Sequence, residues 1–185
     1  MAGRHPHILQ KNQAVLLIID MQEKFAPAIE GFAAIEEKVE TLIRGFRILG
    51  VPIYYTEQYP KGLGHTTAKI AAHLQDQMPI EKLRFSAADD SLIALFRQHN
   101  IKQIVLAGIE AHVCVLQSAL DFHHAGFQVH VVADATRSRR LFDFKAACAR
   151  MQQDGIQLTI VESVLFELLE TSGTDEFRSI SKLIK

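Results

Sequence analysis

Short apolar runs rich in β-branched residues recur along this chain, and between them lie longer stretches whose apolar positions fall three and four apart. The runs at 14–19 (AVLLII), 51–56, 103–107, 128–133 and 157–161 read as strands. A sixth, at 80–84, carries a weaker signal of the same kind. The stretches 33–49, 91–99, 113–124, 142–154 and 176–185 read as helices, and Gly50 and Pro52 stop the first of them. Strands that are apolar throughout, rather than on alternate residues, are covered on both faces. Their alternation with helices predicts an α/β fold with a parallel sheet and helices on both sides.

A chain of 185 residues, 48% hydrophobic, closes one sizeable core, so residues 1–185 are read as one domain. The 20 basic and 21 acidic side chains nearly cancel, and no net field draws the protein to nucleic acid or to an anionic membrane. A small-molecule substrate is the expected partner. Cys114 and Cys148 are far apart and form no metal-spaced pattern, which points to a reducing compartment. Residues 1–13 lack the apolar core of a leader, and no run approaches the roughly 18 apolar residues of a membrane span. A cytoplasmic location is therefore expected.

Polar residues at strand ends carry the functional signal, because in open α/β sheets the carboxyl edge forms the ligand crevice. Asp20 closes the run LLIID. A carboxylate there is costly unless it faces a crevice or has a partner, and a base or a cap for the next loop both satisfy that need. In AGIEAHVCV, Gly108 is expected to open a turn and Cys114 to fall in the first turn of a helix. The positive end of a helix lowers a cysteine pKa from about 8.5 towards the range of roughly 3.5 to 7.5. A buried structural thiol is the competing reading of the same position. Lys82, in EKLRFSA, matters only if it stands close to that carboxylate and thiol.

Five blocks in register, VLLIIDMQEKF, TEQYPKGLG, KLRFSA, LAGIEAHVCVLQSALD and VHVVADA, resemble the isochorismatase-like cysteine hydrolase family. Nicotinamidases are more distant relatives in that resemblance. It implies a doubly wound, Rossmann-like sheet of six parallel strands and an Asp-Lys-Cys triad at Asp20, Lys82 and Cys114. It also implies a non-proline cis peptide between Ile109 and Glu110, which helps aim backbone N–H groups, that of Cys114 included, at an oxyanion. Gln22 and Phe25 match the family's D-x-Q-x-x-F pattern, and with Tyr59 they are expected to support or line a substrate pocket. The activity implied is hydrolysis of an amide or related acyl bond through a thioester. Vinyl ether hydrolysis and a non-catalytic binding role are the alternatives. Relatives associate, so a homo-oligomer, a dimer or larger, is expected.

Where nicotinamidases carry an Asp-x-His metal pair, this chain has Thr56, Glu57, Gln58 and Tyr59, with His65 and His73 isolated. Neither a metal nor another cofactor is expected. His112 lies two residues before Cys114 and points elsewhere, so it reads as a rim or subunit-contact residue rather than a dyad partner. Glu110 either selects a cationic substrate or pairs with an arginine. Arg137, Arg139 and Arg140 either bind a substrate carboxylate or are solvated loop charges. Cys148, within AACARM, reads as a buried helix residue without a catalytic part.

Overall fold

The computed structural model describes residues 4–185, so the first three residues of the stretch read for a leader lie outside it. The central strand is β1 (Ala14–Ile19), buried at every position because the sheet continues on both sides and helices cover both faces. On one side lie β2 (Ile53–Gln58) and then β3 (Ile80–Lys82) at the edge. On the other lie β4 (Gln103–Ile109), β5 (Gln128–Arg137) and β6 (Gln157–Thr159). All five pairings are parallel. The chain thus moves outward from β1 in one direction, returns, and moves outward in the other, which leaves a crevice between the carboxyl ends of β1 and β4.

Successive side chains of β1 enter different cores. Leu16 and Ile18 meet α1 (Phe32–Leu49), α7 (Val161–Leu169) and α8 (Asp175–Leu183) on one face. Val15, Leu17 and Ile19 meet α4 (Asp90–Gln98), α5 (Leu116–His124) and α6 (Leu141–Gln153) on the other. Two single-turn helices, α2 (Pro60–Leu63) and α3 (Ala68–Ala71), lie in the connection from β2 to β3. In α1 the buried residues Ile35, Val39, Leu42, Phe46 and Leu49 recur at helical spacing and form its sheet-facing stripe. Gly45 lets α7 approach closely, because a Cβ there would stand 2.3 Å from Leu165 Cδ2. On the opposite face Phe96, Phe122 and Phe127 pack with ring centroids 5.8 to 6.2 Å apart.

The structure departs from the sequence expectations at strand ends. β4 continues through Gly108 and Ile109, so Gly108 is part of the strand and not the start of a turn. It pairs with Ile19, and its missing side chain is required, because a Cβ would lie 2.1 Å from the Ile19 carbonyl oxygen. β5 extends to Arg137 after a register irregularity against β4. β6 stops at Thr159, and 161–169 forms a helix whose apolar positions fall three and four apart, a pattern obscured in the sequence reading by a strand carried through to 161. Val161, Val164, Leu165, Leu168 and Leu169 form its buried face, and its first N–H is capped at 2.9 Å by Asp134 Oδ1 from β5. No helix among the described residues is long and apolar enough to cross a membrane.

Candidate active site

Asp20 follows β1 directly, with a left-handed φ of 49° that turns its side chain back over the strand ends. Its carboxylate is fully buried and held on both oxygens. Oδ1 accepts from the Thr56 hydroxyl at 2.6 Å, and Oδ2 accepts from Lys82 Nζ at 2.7 Å. Lys82 reaches it from the end of edge strand β3 and is itself 7% exposed. Its ammonium also donates to Gln58 Oε1 (2.8 Å) and to the Phe85 carbonyl (3.1 Å). Three strand ends thereby supply one closed network around a buried ion pair. Such a pair persists only when its remaining hydrogen-bond capacity is met in this way.

Cys114 arrives from the other side of the crevice. The bond between Ile109 and Glu110 is cis, and Ala111–Val115 form a π-helical turn that leads into α5. The expectation of an ordinary first helical turn is corrected accordingly. The thiol is 4% exposed, and the charges of Asp20 and Lys82 both act on it. Its pKa is pushed up to about 12, first by burial and then by the negative charge of Asp20, with Lys82 opposing. The expected lowering by a helix terminus is therefore overturned. Desolvation and a facing carboxylate outweigh a dipole effect confined to a single turn.

A buried residue that the sequence did not flag ties the two halves of the site together. The Ser118 hydroxyl donates to the Cys114 carbonyl at 2.6 Å and accepts from the Ala87 N–H at 2.9 Å. It thus links the thiol's turn to the loop after Lys82. The spacing of four between Cys114 and Ser118 puts both on one helical face, which was the available signal. From the opposite flank, Arg139 donates from Nε (2.9 Å) and from its backbone N–H (3.2 Å) to Glu110 Oε1. Ser138 Oγ stands 3.0 Å from His112 Nδ1 and accepts from the His112 N–H at 3.3 Å. His112 therefore engages Ser138 across the loop, Glu110 is paired with an arginine, and Arg137 lies over the Phe144 ring.

Cys114 opens into a cavity of about 450 Å³. Phe25, Ala28, Leu63, Phe85 and Val113 form its apolar wall, with Lys24, Gln58, Glu110 and Arg139 as its polar members. Phe25 thus stands where it was expected, whereas two other expectations are corrected. Gln22 is fully buried and lines nothing. Its side chain bonds both main-chain groups of Gln58, at 2.8 and 3.0 Å, and the Gly64 carbonyl, so it supports the strand end from behind. Tyr59, whose backbone is left-handed, is 49% exposed and borders a separate depression with Pro60 and Leu83.

His65 and His73, read as isolated, each have a carboxylate partner. His65 Nδ1 is 3.0 Å from Glu57, and His73 Nε2 is 3.1 Å from Glu40. Burial alone would raise the Glu57 carboxyl, but hydrogen bonds from Thr66 and His65 outweigh it and hold it below its ordinary value. Among the described residues no three metal-ligating side chains come together.

An isochorismatase domain matches residues 14–163. Isochorismatase domain-containing protein 1 of Danio rerio is 40% identical over 173 residues, which are 93% of this chain and 61% of that protein. The chain thus spans about three fifths of that relative. Isochorismatase domain-containing protein 2A of Mus musculus is 39% identical over 93% of this chain and 82% of its own length. A solved structure described as MAR1 ribonuclease from Caenorhabditis elegans superposes with a TM-score of 0.90 at 38% identity, covering 95% of this chain and 91% of that one. With the doubly wound sheet and the crevice already described, these matches show that the chain belongs to the isochorismatase family.

Proposed function

We propose that the protein is a small-molecule hydrolase in which Cys114 attacks an amide or related acyl carbon, with Asp20 as the base and Lys82 as the fixed countercharge. The observation that carries this reading is the convergence of a buried Asp20–Lys82 pair on a thiol that opens into a cavity. Loss of the thiol proton to solvent is disfavoured in this setting. Its transfer to Asp20 is not opposed in the same way, because the negative charge only moves from carboxylate to sulfur and Lys82 faces both.

In the proposed sequence the Cys114 proton passes to Asp20 as the sulfur attacks the acyl carbon. Charge developing on the carbonyl oxygen is met by backbone N–H groups of the turn from Ile109 and Glu110 to Cys114. Asp20 then returns the proton to the leaving amine as the carbon–nitrogen bond breaks and a thioester forms. Water, deprotonated by Asp20, hydrolyses the thioester, and the proton returns to the sulfur. Gln58 and Thr56 hold Lys82 and Asp20 in place through the cycle.

The test is ammonia release from a panel of small primary amides, with intact-mass analysis of acid-quenched turnover. Wild type is expected to carry an acyl adduct on Cys114, and Cys114→Ala is expected to lose turnover. Full ammonia release by Cys114→Ala would remove the sulfur from the mechanism and overturn the reading.

A further inference from the structure

We infer that the cavity selects small acyl compounds that carry a carboxylate at the end remote from the scissile bond, and that Lys24 and Arg139 at its mouth recognise that group. The inference rests on the cysteine-nucleophile reading and adds the charge of the substrate.

The argument is a count of charges that face one cavity. Asp20 and Lys82 neutralise each other within the buried network. Glu110 is the cavity's other anion, and it is already engaged by Arg139, with its side chain 8% exposed. Lys24 is a further cation on the same wall, and among the described residues its side chain makes one hydrogen bond, to the Gly62 carbonyl at 2.6 Å. The cavity therefore carries about one net positive charge. Arg139 uses Nε on Glu110, and neither of its Nη groups makes a hydrogen bond among the described residues. Its side chain is 58% exposed, so those donors face outward where an entering ligand passes.

Between this cationic mouth and the sulfur, the wall is Phe25, Ala28, Leu63, Phe85 and Val113. Such a wall rewards a short apolar body and offers no free carboxylate to a cationic one. The Arg139–Glu110 pair gives the positive charge a fixed position, because Glu110 also accepts from the Arg139 backbone. A planar guanidinium held in that way presents its remaining donors with the spacing a carboxylate requires.

The experiment compares two alkylating probes that differ in charge, iodoacetate and iodoacetamide, at Cys114 of the full chain, with Cys148 as internal reference and glutathione as free-thiol reference. The quantity read is the iodoacetate to iodoacetamide rate ratio divided by the same ratio for glutathione. It is expected to exceed one in wild type and to fall about five- to tenfold in Lys24→Glu and about threefold in Arg139→Gln, the size expected for charges at a half-open site. A ratio equal to that of glutathione and unmoved by both substitutions overturns the inference while leaving the nucleophile reading intact. Slow, equal labelling of Cys114 and Cys148 by both probes overturns that reading, and the inference with it.

Discussion

Lys82→Met removes the ammonium that pairs with Asp20 while keeping most of the aliphatic stem. The carboxylate left behind is fully buried, and its Oδ2 has lost a partner at 2.7 Å. Removing one member of a buried pair costs about 3 to 5 kcal/mol, because the surviving charge is uncompensated. For a chain of this size that lowers the melting temperature by about 6 to 20 °C. The reverse substitution, Asp20→Asn, suits the left-handed backbone, and its amide oxygen accepts from Thr56 as the carboxylate does. Combined in Asp20→Asn/Lys82→Met, the two changes remove both charges, and the double variant is expected to cost less than about 2 kcal/mol. Urea unfolding at pH 7 with equal slopes reads these differences directly. A single-variant cost below about 1 kcal/mol, or a double-variant cost equal to the sum of the singles, refutes a tightly coupled buried pair.

Ser118→Ala leaves the Ala87 N–H and the Cys114 carbonyl without their buried partner. It is expected to cost about 1 to 3 kcal/mol in urea unfolding and to slow Cys114 alkylation, whereas unchanged alkylation would show that the serine serves stability alone. His130 is 2% exposed with Nε2 unpartnered among the described residues, and burial followed by His7 lowers its pKa from 6.5 to about 4. The unfolded chain then binds the additional proton between those values. Stability is full above pH 6.5 and falls by about 3 kcal/mol as the pH drops to 4. His130→Leu should flatten that part of the pH–stability curve, and an equally steep fall in the variant would assign it to other groups.

The central architecture was legible because it rests on local patterns. Unbroken apolar runs mark strands buried on two faces, and Asp20 stands where one of them ends, whereas Lys82 and Cys114 were singled out with it by the family resemblance. What was not legible depended on pairing between distant segments. The cap of α7 comes from Asp134 on another strand, and the Cys114 environment is set by a carboxylate and a burial that no nine-residue window contains. Gln22 reads like a pocket residue from its motif, yet the backbone groups of Gln58 and Gly64 claim its whole amide. Tyr59 was misplaced for a related reason, since the left-handed backbone after β2 and the separate depression that Tyr59 borders have no mark in the local sequence. Glu110 left two readings open, and only the fold of the loop after β5 decides for Arg139.

The claim on which the account turns is that Asp20 takes the Cys114 proton during attack, from a thiol that is protonated at rest. Its most direct measurement is the rate of iodoacetamide labelling at Cys114 across pH 7 to about 9.5, with Cys148 as reference, in wild type and Asp20→Asn. Wild-type Cys114 should label faster than Cys148 throughout, with no step in this range, and Asp20→Asn should remove the advantage. A rate that climbs about tenfold per pH unit at Cys114, alike in both proteins, would mean that only solvent-generated thiolate reacts and that Asp20 takes no part.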